Sequence, residues 1–119
     1  MKLDFVATDW GTVAARFLQK SAPGQGGWNM FHTWVAGANF TDGSGGFIHA
    51  NGDQASVGWP NSAQVEAEIA AWYEAQSLDQ EKAAMRRLNK VALDHVVYAP
   101  TGSFLQYQAW RKNVRAART

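Results

Sequence analysis

Acid–base or metal chemistry in this chain would fall first to its three histidines, His32, His49 and His95. Their spacing gives neither His-Glu-x-x-His nor His-x-His, and the absence of cysteine excludes a thiolate metal site, a Cys nucleophile and a disulfide framework. His95 falls at the end of a predicted helix, where an imidazolium suits the helix dipole. His32, between Met30 and Trp34, is either a packed histidine or a cleft residue. Gly43-Ser44-Gly45 lacks the Gly-x-Ser-x-Gly nucleophile elbow, and no phosphate-cradling glycine loop follows a predicted strand. A hydrolase reading would need His32 within hydrogen-bond reach of Asp42 or Asp53. Covalent chemistry, metals and cofactors are therefore not expected, and binding is.

Six tryptophans favour binding, because Trp supplies a large rigid apolar face with one polar atom. The candidate ligand-binding residues are His32, Trp34, Val35, Ala36 and Asn39. Trp34 ends a predicted strand and opens into a glycine-rich loop, and open α/β sheets bind ligands beyond the carboxyl ends of their strands. Val35-Ala36-Gly37 has small side chains, so a ligand can approach its backbone N–H and C=O groups. A module that binds carbohydrate on Trp28, Trp34 and Trp59 is the alternative.

The elements that would position these residues read as α/β. Lys2 to Ala7 alternates apolar and polar residues, the period of a strand. Thr8 or Asp9 caps a helix with a stripe of Trp10, Val13, Ala14, Phe17 and Leu18, ended by Pro23. Gln25-Gly26-Gly27 turns into a β-prone run from Trp28 to Val35, which makes a βαβ unit. A glycine-rich loop runs from Gly37 to Gly58, with a turn of helix expected over Phe47 to Asn51 and Phe40, Phe47 and Trp59 pinning it. Asn61 caps a second helix with Gln64 closing the box, and Val65, Ile69 and Trp72 face inward. Ser77 starts a third helix that buries Ala84, Met85, Leu88, Val91 and Ala92 and turns Arg86, Arg87 and Lys90 to water. Val96 to Pro100 and Phe104 to Trp110 read as extended strands.

At 119 residues the chain has room for one domain, and 46% hydrophobic with 18% charged residues is a globular composition. No apolar run reaches the roughly 18 residues of a membrane span, and Met1-Lys2-Leu3-Asp4 leads into no signal-peptide core. Arg111, Lys112, Arg115 and Arg118 make the last stretch basic without interleaved aromatics or acids, which reads as a solvated end and not a nucleic-acid site.

Taken in order, Gly27-Trp28-Asn29-Met30, Trp34, Gly58-Trp59-Pro60-Asn61-Ser62, the helix from Glu81 to Asp94, Val97-Tyr98-Ala99-Pro100 and Gln106 to Val114 resemble the C-terminal segment of the family 5 solute-binding proteins of ABC importers, which take up peptides, opines and nickel. The resemblance covers nearly the whole chain. It implies part of a type II periplasmic-binding-protein lobe, so that residues 1–119 form one C-terminal portion of a longer periplasmic receptor. It further implies a small solute such as a peptide, an ABC permease as partner, and no catalysis. Many peptide-binding members carry an aspartate three residues after the strand tryptophan, which pairs with the ligand's α-amino group. Gly37 stands there in this chain, so that pairing is not expected. Tyr98, Phe104, Tyr107 and Trp110 would form an apolar face, and the isolated chain is expected to self-associate, at least as a homodimer.

Overall fold

The computed structural model describes residues 2–40, 42–107, 109 and 111. Among the described residues three α-helices form in chain order, α1 (Trp10–Arg16), α2 (Ala63–Tyr73) and α3 (Leu78–Asp94), with short 3₁₀ turns at Pro23–Gln25, Gly37–Phe40 and Gly52–Gln54. The core is an α2–α3 hairpin. Ser77 caps α3 by accepting from the Gln80 N–H, and Gln80 Oε1 reaches back to the Gln76 N–H at 2.7 Å. The apolar stripe of α3 then buries Ala84, Leu88, Val91 and Ala92, as its 3.6-residue period requires. It meets Val65 and Ile69 of α2, while Met85, Val97 and Tyr98 pack on the margin. Gln64 pairs with His95 and Glu68 with Arg87, so the two helices run antiparallel.

The cap of α2 is Ser62, whose side chain accepts from the Val65 N–H, and not the expected Asn61. Asn61 instead forms an isolated antiparallel bridge with Asn51. Around it, the Gly52 N–H donates to Pro60 at 2.9 Å and the Ser62 N–H to Ala50 at 2.7 Å. That bridge closes the segment between the two asparagines into a loop on the N-terminal end of α2.

The α/β expectation is overturned. No strand or sheet is present among the described residues, so there is no βαβ unit, no type II periplasmic-binding-protein lobe with paired strands, and no C-terminal strand pair. The alternation at Lys2 to Ala7 is real, but Leu3, Phe5 and Val6 are 68%, 80% and 60% exposed. Its apolar face meets no core, and an extended segment without a hydrogen-bonded neighbour is not a strand. Trp28 to Val35 and the described part of Phe104 to Trp110 are likewise irregular; Trp110 itself, and the basic residues beyond Arg111, lie outside the described residues.

Helix α1 starts at the expected Asp9 cap, with the Thr12 N–H bonded at 3.1 Å. It stops at Arg16, well before Pro23, which leaves Leu18 outside the helix and 65% exposed. In the long loop, helical turns form at its two ends and not over Phe47 to Asn51.

The C-terminus of α3 is a Schellman motif. The Val97 N–H donates to Ala92 at 3.1 Å and the Val96 N–H to Leu93 at 3.2 Å. This places Val96 at φ +51°, left-handed backbone that a β-branched residue tolerates poorly. Val96 is also 69% exposed, so little packing is lost on its removal. Val96→Gly is expected to stabilise the chain by about 0.5–1 kcal/mol, relief of strain exceeding the added entropy of the unfolded glycine. The measure is the urea midpoint at unchanged slope; a midpoint that stays or falls refutes it.

Candidate functional site

The residues proposed to bind ligand occupy one exposed stretch between α1 and the hairpin. His32, Trp34, Ala36 and Asn39 are exposed and Val35 is half-buried. The Trp34 ring is 62% exposed and meets Phe104 edge-on at 6.4 Å. The Asn39 N–H donates to Ala36 at 2.9 Å, which tightens the chain into the Gly37–Phe40 turn. A Cβ on Gly45 would lie 2.2 Å from the Asn39 carbonyl oxygen, so that close approach requires glycine. Space around Gly37 is open. Trp34 and Gly37 are thus the open points of this stretch, while the Ala36 carbonyl and the Asn39 N–H are engaged with one another. Among the described residues no hydrogen bond joins the side chains of His32, Trp34 and Asn39. With the sheet gone, Trp34 is not at the carboxyl end of a strand.

The carboxylates that a hydrolase would need are engaged elsewhere. Asp42 accepts from the Ser44 N–H and hydroxyl, which holds its carboxyl below the usual range. Asp53 is held low in the same sense by its bond to Lys20 and by that ammonium's charge. Among the described residues neither meets His32, and no group of three or more His, Asp or Glu side chains could hold a metal ion. No helix there is long and apolar enough to cross a membrane.

Two further constellations were not anticipated. The Glu66 carboxylate accepts from the Ala50 N–H at 2.6 Å, and His49 Nδ1 lies 3.1 Å from its other oxygen. A carboxylate only accepts, so the hydrogen sits on Nδ1 and His49 Nε2 faces away from the pair. This clamp seats Ile48 and Ala50 in the core. Trp72 is only half-buried, and its ring lies directly against the Gly43 backbone, where a Cβ would be 2.9 Å away.

The second is a chain of aromatic rings from α1 to the loop. Trp10 stacks on Phe17, Phe17 meets Phe31, and Phe31 sits edge-on to Trp28 at 4.6 Å. Trp28 then meets Trp59 at 6.3 Å. Trp28 Nε1 donates to the Phe17 carbonyl, and Arg16 donates to the Gly26 and Gly27 carbonyls. Trp28 and Trp59, both half-buried, therefore lean on one another. Of the expected apolar face, Phe104 and Tyr107 are exposed, at 66% and 95%, whereas Tyr98 packs on the core.

Comparison with known proteins gives one informative similarity. The chain is 31% identical over 115 residues to a probable peptide ABC transporter periplasmic-binding protein of Sinorhizobium fredii, which takes in 93% of this chain and 21% of that protein. The chain is thus similar to a segment of a periplasmic solute-binding protein and spans about a fifth of that relative's length. No protein-family model and no solved structure matches it.

Proposed function

We propose that this chain is a segment of a family 5 solute-binding protein of an ABC importer, periplasmic, with a peptide as its solute and a membrane permease as its partner. Similarity over 93% of the chain to a protein named for that role carries the reading. The exposed Trp34 face and the open space around Gly37 support it, since they offer an apolar wall and an uncovered stretch of main chain three residues apart. The solute is held by non-covalent contacts alone. A receptor about five times as long supplies walls that these residues do not, so the 119-residue chain binds more weakly than about 1 μM.

The test is a titration of the ¹⁵N-labelled chain with di- and tripeptides, followed by NMR. Shifts should concentrate on the Trp34 indole and on residues 35–39. Trp34→Ala should weaken binding about tenfold, the loss of an aromatic anchor. Peptide-silent spectra, or shifts produced by oligosaccharides at Trp28, Trp34 and Trp59, overturn the reading.

A further inference from the structure

Lys20 lies just past α1, far in sequence from the loop it touches. Its Nζ sits 4.6 Å from the centroid of the Trp59 ring and forms an ion pair with Asp53. An aromatic face with a carboxylate beside it is the arrangement that recognises an organic ammonium. The platform is already built. Trp28 is fixed by its hydrogen bond to Phe17 and by the edge of Phe31, and it flanks Trp59 at an interplanar angle of 32°. Trp59 itself is held at φ +47°, after Gly58 at φ +103°, so its backbone is strained at the residue that presents the ring.

The cation that fills the place is weakly held. The side chains of Lys20 and Asp53 are 51% and 90% exposed, and exposed ion pairs contribute little. Lysine also gives up much rotamer freedom to stay in one pose. An incoming ammonium would meet the same ring and the same carboxylate without breaking any core contact.

We propose that Trp59, Trp28 and Asp53 form a binding site for an alkylammonium group, and that Lys20 occupies it as an internal placeholder. The site shares no residue with the Trp34 stretch and does not rest on the transport reading. Lys20 competes with the ligand, so apparent affinity is lowered by the fraction of molecules with the place open.

The full chain, ¹⁵N- and ¹³C-labelled, is titrated with n-butylammonium chloride at constant ionic strength, with sodium chloride as reference. In the wild type, saturating ligand should return the Lys20 ε-CH₂ signals from their ring-shifted position toward the free value. In Lys20→Gln, the Trp59 and Trp28 indole signals should shift at about tenfold lower concentration than in the wild type, if Lys20 fills the place in nine molecules of ten. Adding Asp53→Asn should weaken that binding at least about threefold, with Trp10 and Trp34 unmoved. N-acetyl-lysine amide and Ala-Ala then distinguish a side-chain ammonium from an α-ammonium. Equal midpoints in the wild type and Lys20→Gln, indifference to Asp53→Asn, or Lys20 signals unmoved by ligand would each overturn the proposal.

Discussion

Replacing Leu88 by alanine is expected to remove about 2–5 kcal/mol of stability, the range for truncating a buried leucine whose site cannot collapse. Leu88 is fully buried at the centre of the hairpin, between Val65 and Ile69 of α2 and Val91 and Ala92 of its own helix. Among the described residues eight hydrophobic ones are buried, so one leucine is a large share of that core. Domains of this size keep only about 5–15 kcal/mol in total, and a chain with so small a core belongs at the lower end. Leu88→Ala should therefore lose most of its helical circular dichroism well below the urea midpoint of the parent. Leu93→Ala is the control: the same chemistry at a position 42% exposed should cost less than about 1 kcal/mol. Equal losses at the two positions would mean that the hairpin is not the stabilising unit.

The two helices of that hairpin, though not their pairing, were the part legible in the sequence, because a helix's information is local. The stripe Ala84, Leu88, Val91 and the Ser77 cap are set by neighbours within one or two turns, and they emerge as written. The cap of α2 slipped by one residue because Asn61 and Ser62 are both good caps, and the choice was made by Asn51, which engages Asn61. The strands failed for a different reason. Alternation at residues 2–7 and aromatics at 28–35 state which face an extended segment would bury, while the pairing that makes it a strand is supplied by distant residues. None of the described residues supplies it. The Lys20–Asp53–Trp59 contact and the Glu66 clamp were invisible for the same reason, since no local period links positions so far apart.

The clamp carries the second large effect, because it satisfies a donor that has no route to water. Ala50 is 1% exposed, and its N–H donates to Glu66 Oε1 at 2.6 Å. Glu66→Ala would leave that N–H unpaired in the core, at a cost of about 1–3 kcal/mol. The same change frees His49 and loosens the loop that lodges Ile48 against the hairpin. Glu66→Gln keeps an acceptor oxygen on the same stem, so it should retain at least half of what alanine loses. The local readout is hydrogen exchange at the Ala50 amide, which Glu66→Ala should accelerate at least about tenfold and Glu66→Gln far less. Val65, on the same helix, should keep its protection relative to global stability in both variants. If Ala50 exchange is unchanged in Glu66→Ala, the loop is held by the Ser62 N–H to Ala50 carbonyl bond and by apolar packing, and the carboxylate only decorates it.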